Sequence, residues 1–318
     1  ALQTVPGTAF RYSDINFFVL GEVVRRASGR KLQEFAAQEI YQPLNMRDTG
    51  FLPSASLAKR IAPTQQVGSE MLRGVVHDPT ARHMGGAAGH AGLFTTAADL
   101  ARYARMLLGG GELDGVRIFK PETVQLMTTV QTPEAVADRR GLGWDLDSGY
   151  SRPRGKLFPI GSFGHTGFTG TALWIDPFSE TFWILLSNRV HPNGRGNVLP
   201  LYSSLGTLAA MVVDGFDFTR VPNALPAQAS AGASGSGAAS GSGQARAGEV
   251  LNGIDVLVKQ NYAPLKKLRL GLITNHTGVD RHRRPTIDLL KNAPEVELKV
   301  LFSPEHGIRG QLDEKVND

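Results

Sequence analysis

Residues 164–186 read Gly164-His-Thr-Gly-Phe-Thr-Gly170-Thr-Ala-Leu-Trp-Ile175-Asp-Pro177-Phe-Ser-Glu-Thr-Phe182-Trp-Ile-Leu-Leu186. Two apolar runs, 171–175 and 182–186, flank Asp176-Pro177, and that combination predicts an antiparallel hairpin. Upstream of it the apolar residues recur with helical spacing. Ser13 or Asp14 can cap a helix carrying Ile15, Phe18, Val19, Glu22 and Val23, with Gly29 as its stop. Thr96 precedes a second helix with Leu100, Tyr103, Ala104, Leu107 and Leu108 on one face, closed by Gly109 to Gly111. Pro121 starts a third, through Val124 and Met127, and Leu201 to Val213 reads as a closing helix. Helices first and a hairpin late predict an α+β domain built on an antiparallel sheet.

From Pro226 to Gly248 nearly every residue is Ala, Gly or Ser, and no apolar period survives. Such a stretch buries too little surface to offset its ordering entropy, so it is expected to act as a flexible tether over 223–248. Domains are therefore expected at 1–222 and 249–318. The second piece begins again as a βαβ pattern. Lys267 to Thr274 alternates as a strand, Pro285 to Lys291 forms a short helix, and Glu297 to Phe302 is a second strand. The spacing between the strands leaves room for a crossover, which predicts a parallel pair in a partial Rossmann-like α/β domain.

The chain of 318 residues is 41% hydrophobic and 20% charged, the composition of a globular protein. Its net charge of +5 is spread, with 23 basic against 19 acidic residues in 1–248 and 11 against 10 from Glu249 on. No basic patch therefore points to nucleic acid. Without cysteine there are no disulfides, zinc-thiolate sites or cysteine nucleophiles. No run of about 18 apolar residues predicts a membrane span. Ala1 opens the chain with no basic or apolar leader, so any export signal is expected to lie outside this sequence. His77, His83 and His90 recur in a Gly-rich stretch, but spacings of six and seven put no pair on one helical face. They are read as loop and supporting residues, with no metal and no cofactor expected.

Two motifs carry chemistry in the first domain. Pro6-Gly-Thr-Ala-Phe-Arg-Tyr12-Ser-Asp14, followed by Leu20-Gly-Glu22, resembles the Tyr-x-Asn segment of class C β-lactamases, D-alanyl-D-alanine peptidases and related esterases. Gly164-His165-Thr166-Gly167-Phe168 resembles the Lys-Thr-Gly strand of the same superfamily in a His-Thr-Gly form. His90 to Leu100 and Gly141-Leu-Gly-Trp144 fit the family in order between them, so the resemblance spans residues 5–215. It implies a β-lactamase/transpeptidase-like fold and acyl transfer by serine, which needs a base for the hydroxyl proton and two donors for the oxyanion. Carried over, Tyr12 is the proton shuttle, its phenol pKa, ordinarily about 10, lowered by a nearby ammonium. His165, Thr166 and Gly167 face substrate, and the Phe168 N–H is one oxyanion donor. Asp14 stands where Asn is usual and, ionised, has no amide hydrogen to donate, which leaves helix capping as its other reading. The family's Ser-x-x-Lys precedes the Tyr motif, whereas Ser56-Leu-Ala-Lys59 follows it in what reads as a surface connection. That copy is read as coincidence, and the polypeptide is expected not to acylate.

In the second piece, Asn275-His276-Thr-Gly278 ends the first strand and Pro304-Glu305-His306-Gly307-Ile-Arg309 ends the second. Ligands of open α/β sheets bind beyond the carboxyl ends of strands, so these groups are expected to share a crevice. With Val250 to Asp255 they resemble the amino-terminal part of exo-β-N-acetylmuramidases. That resemblance implies Glu305 as the protonated acid, with His306 beside it and Asn275, His276 and Arg309 binding substrate. Together the resemblances imply an exported, periplasmic or secreted, bacterial cell-wall enzyme with peptidoglycan or muropeptides as substrate. An esterase on the first fold, and a non-catalytic wall-binding module that targets the muramidase, are the competing readings.

Overall fold

The computed structural model describes residues 4–226, 253–267, 269–273 and 278–302. The chain divides into two compact units, Phe10–Gln228 and a second that joins Ala1–Ala9 to Ala229–Asp318.

The first unit is organised by a five-stranded antiparallel sheet. Its strands are β1 (Arg139–Arg140), β2 (Asp145–Asp147), β3 (Phe163–Thr166), β4 (Thr171–Asp176) and β5 (Thr181–Leu186), in the spatial order β5-β4-β3-β2-β1. The predicted hairpin is β4–β5, paired from Thr171 with Leu186 to Asp176 with Thr181. Its turn is tied by Asp176, whose carboxylate accepts from the N–H (3.0 Å) and hydroxyl (2.5 Å) of Ser179. Because side chains alternate along a strand, β4 feeds two cores. Leu173 and Ile175 pack with Phe163, Leu146, Met106, Leu107 and Leu44. Trp174 packs with Phe158 and Ala210 on the opposite side, beside Ala172, Val198 and Tyr202. Helix α2 (Ala97–Leu108) lies in the first core and α4 (Leu199–Met211) in the second, with α1 (Asp14–Ser28) and α3 (Pro121–Thr128) completing the long helices of the unit.

The caps at Thr96 and Gly29 follow the sequence signals, whereas Ser13 holds the cap position of α1 without a side-chain cap hydrogen bond. Thr96 accepts the N–H of Asp99 at 3.2 Å, and Gly29 adopts φ 72° and closes α1 by donating to the Arg25 carbonyl. The closing helix begins two residues earlier than its apolar pattern indicates, at Leu199, because Pro200 suits a first turn. Helix α1 differs from expectation in one respect: none of its residues is buried, and Val19, Leu20 and Val23 are more than half exposed. Ile15 and Phe18 on its apolar face are half-buried, Phe18 against His90, while Val19 and Val23 stay open among the described residues.

The second unit contains α5 (Gly253–Lys259), β6 (Arg269–Ile273), α6 (Thr286–Lys291) and β7 (Glu297–Phe302). Strands β6 and β7 pair in parallel with α6 between them in sequence. Ile254, Tyr262, Leu290 and Ala293 form its core. The turn into α6 is fixed by the buried Asp280, which accepts from the N–H of His282 (2.9 Å) and of Arg284 (2.8 Å) and from the Arg284 guanidinium (2.7 Å). Burial opposes its ionisation, but these hydrogen bonds hold its pKa below the usual carboxylate value. Among the described residues no helix is long and apolar enough to cross a membrane.

Candidate functional site

The segment before α1 and the end of β3 meet. The Tyr12 ring lies 6.1 Å, centroid to centroid, from that of His165, and 5.3 Å from that of Tyr150. Asp14 is the first residue of α1, with Ser13 in extended conformation at the cap position. Helix α1 is held in place by a close backbone approach. A Cβ on Gly89 would stand 2.1 Å from the Phe17 carbonyl, so only glycine fits there. Beside it His90 is buried, its ring edge-on to Phe18 at 4.5 Å and its Nε2 2.8 Å from Asp78. Asp78 in turn caps the short helix Pro79–His83 through the Ala81 N–H. Gly89 and His90 of the Gly-rich histidine stretch thus brace α1. Among the described residues no three His, Cys, Asp or Glu side chains come together as a metal site.

The His-Thr-Gly stretch leaves the sheet in a tight turn. Thr166 pairs with Ala172, the Gly167 N–H donates to the Thr171 carbonyl at 2.8 Å, and the Gly170 N–H donates to the Gly167 carbonyl at 3.0 Å. A Cβ on Gly167 would meet Thr171 Oγ1 at 2.2 Å. Phe168 at the tip is 73% exposed. Its carbonyl accepts from Arg189 Nε at 2.7 Å, its ring lies 4.2 Å from the Arg189 guanidinium carbon, and His77 stacks on it at 5.6 Å. Among the described residues the Phe168 N–H enters no backbone hydrogen bond. His77 is held by Gln65 at 2.8 Å, and burial, reinforced by Arg82 and Arg189, lowers its pKa.

Behind Tyr12 and His165 sits a group that the motifs do not announce. The Arg140 guanidinium is buried, 3.0 Å from the buried carboxylate of Asp145, which also accepts from Ser148 Oγ at 2.6 Å and Ser151 Oγ at 2.8 Å. The guanidinium carbon lies 4.7 Å from the Phe10 ring centre and 5.9 Å from those of Tyr12 and Tyr150. Its positive charge also reaches His165, whose pKa is lowered by burial above all, with Arg140 adding to that, against the opposing effects of the hydrogen bond to the Thr166 carbonyl and, more weakly, of Asp145. Alternation along β1 and β2 is the sequence signal that would pair these two residues, but strands two and three residues long carry too little pattern to read. An open cleft of about 290 Å³ adjoins, lined among others by Phe10, Tyr12, Asn16, Phe17, Thr132 and Arg140.

Ser56 and Lys59 lie in the 3₁₀ turn Ala55–Arg60, where Ser56 Oγ hydrogen-bonds Ser54 Oγ at 2.7 Å. A second Ser-x-x-Lys, Ser28-Gly-Arg-Lys31, straddles the end of α1, and its serine hydroxyl donates to the Val24 carbonyl at 2.7 Å. Ser28 is a whole helix away from Tyr12, roughly 20 Å at 1.5 Å per residue. In the second unit, Asn275, His276, Glu305, His306 and Arg309 lie outside the described residues.

Comparison with known proteins gives two family matches along the chain. Residues 1–207 match the beta-lactamase family, and residues 270–318 match the family described as exo-beta-N-acetylmuramidase NamZ, N-terminal. A putative D-alanyl-D-alanine carboxypeptidase of Escherichia coli K12 is 34% identical over 211 residues, 60% of this chain and 47% of that protein. The chain spans about half the length of the curated relatives it matches. Among solved structures, a beta-lactamase from Mycobacterium bovis is 24% identical with a TM-score of 0.47, covering 66% of each chain. A DUF1343 family protein from Bacteroides fragilis is 53% identical over 20% of this chain and 16% of its own, with a TM-score of 0.19.

Proposed function

On the premise that the chain belongs to the beta-lactamase family, we propose that residues 1–222 are a serine-hydrolase domain acting on peptidoglycan-derived peptides. In this reading 223–248 tether it to 249–318, the amino-terminal part of an exo-muramidase that works on the same polymer outside the cytoplasm, in the periplasm or secreted. The observation that carries it is the convergence of Tyr12 with His165, from opposite ends of the unit, beside an open cleft. The carboxypeptidase relatives support a wall peptide as substrate, and the match of residues 270–318 supports a glycan one.

The roles follow from reach and chemistry. Tyr12 shuttles the proton between nucleophile and leaving group. Thr166 and Gly167 line the acyl group on β3, and the Phe168 N–H, unused by the turn, is one of the two donors that a tetrahedral oxyanion needs. Asp14, at the first turn of α1, supplies a carboxylate where substrate amides would be recognised. In residues 249–318 the proposed roles are Glu305 as the acid that protonates the glycosidic oxygen, with His306, its neighbour in sequence, assisting it, and Asn275, His276 and Arg309 as sugar-binding groups.

Neither Ser-x-x-Lys of this chain serves as nucleophile in this reading, so the polypeptide does not acylate by itself. Incubation with a fluorescent penicillin followed by denaturing electrophoresis tests this. An unlabelled band is expected, and labelling that disappears in Ser56→Ala or Ser28→Ala would overturn it.

A further inference from the structure

His165 occupies the place where the resemblance implies a lysine, and its surroundings give it the opposite electrical character. Its Nδ1 is 2.7 Å from the Thr166 carbonyl oxygen. A carbonyl only accepts, so Nδ1 carries the hydrogen and, in the uncharged ring, Nε2 keeps its lone pair. The groups around the ring are the Arg140 guanidinium from β1, Asp145 from β2 and the Tyr12 phenol from the segment ahead of α1, with Tyr150 beyond Tyr12. Asp145 is committed to Arg140, Ser148 and Ser151 and offers the imidazole no hydrogen bond. A second cation on His165 would stand near the buried guanidinium of Arg140.

We propose that His165 is a positioning residue that stays uncharged and presents Nε2 as a hydrogen-bond acceptor, so the end of β3 orients a donor group of the substrate, an N–H or O–H, rather than pairing with a carboxylate. This rests on the reading that β3 lines the substrate site, and it deepens that reading by naming which substrate groups meet it. Burial, with Arg140 adding to it, disfavours the imidazolium and outweighs the opposing pull of the Thr166 carbonyl, so the net direction is the one the proposal needs.

Long-range ¹H–¹⁵N NMR of the histidine rings in the full chain, with His165 assigned by difference from His165→Gln, reads tautomer and charge directly and requires no turnover. The expected result is a protonated Nδ1 and a bare Nε2 at pH 7, with a midpoint below that of an unperturbed histidine. Arg140→Met should move the midpoint up, and Arg140→Lys should keep it low. A hydrogen on Nε2 at pH 7, or a midpoint at or above the ordinary value, overturns the proposal. If Arg140→Met does not fold, the tautomer in the unaltered chain still decides. Failure of the hydrolase reading would appear separately, as absence of acylation in a protein that carries the nucleophile.

Discussion

Arg140 and Asp145 form a buried ion pair, 3.0 Å apart, directly behind the aromatic ring of Tyr12. Two charges inside a protein survive only when each is satisfied, and here two serine hydroxyls complete the carboxylate.

Removing one partner should therefore cost far more than removing both. Arg140→Met leaves Asp145 charged and unpaired, an expected loss of about 3–5 kcal/mol. The double change Arg140→Met with Asp145→Leu should recover most of it. Urea denaturation followed by tryptophan fluorescence measures both, and equal losses in the two proteins would remove the pair from this role.

Stability should fall on mild acidification. His165 and His77 both have pKa values lowered by burial, so the unfolded chain binds their protons more readily than the folded one. Their contribution is complete above the unfolded value of about 6.5 and is lost as pH falls toward and through the folded values. Thermal midpoints between pH 8 and pH 5 should show this slope, and the double variant His77→Gln/His165→Gln should flatten it. An unchanged slope would mean that other groups dominate.

Gly164 is a steric requirement of the sheet. A Cβ there would stand 2.3 Å from both the Leu173 carbonyl and Trp174 Cε3. Gly164→Ala should cost about 1–3 kcal/mol by overpacking and perturb the near-ultraviolet dichroism of Trp174. A variant with native stability and spectrum would contradict this contact.

Strand β5 ends the sheet with the sequence Thr181-Phe-Trp-Ile-Leu-Leu186, apolar on both faces, and none of its residues is fully buried. Edge strands of this kind, paired on one side only, template association with other chains. Leu186→Lys, at an exposed position, should reduce light scattering of concentrated solutions while changing stability by no more than about 0.5 kcal/mol. Unaltered scattering would place association elsewhere.

What the sequence made legible divides along physical lines. The hairpin at Asp176-Pro177, the glycine stop at Gly29 and the cap at Thr96 depend on residues within a few positions of one another, and they appear where their local chemistry puts them. Tyr12 and His165 were readable because motif flanks marked each of them, although nothing local says that they meet. Arg140, Asp145 and Tyr150 escaped because their roles arise only when short strands and loops converge, and two- or three-residue strands have no period to detect. The openness of Val19 and Val23 on α1 is illegible for a related reason: periodicity reveals which side of a helix is apolar, never how much of it is covered.

The ring of bonds around Asp145 has a consequence for how such sequences diversify. Arg140, Ser148 and Ser151 each spend a donor on the same carboxylate, so a change at position 145 strands three groups at once. Single steps away from this arrangement pass through a destabilised intermediate. These four positions are therefore expected to change together or stay fixed across relatives, a coupled set that drifts as one character while the exposed loops around it vary independently.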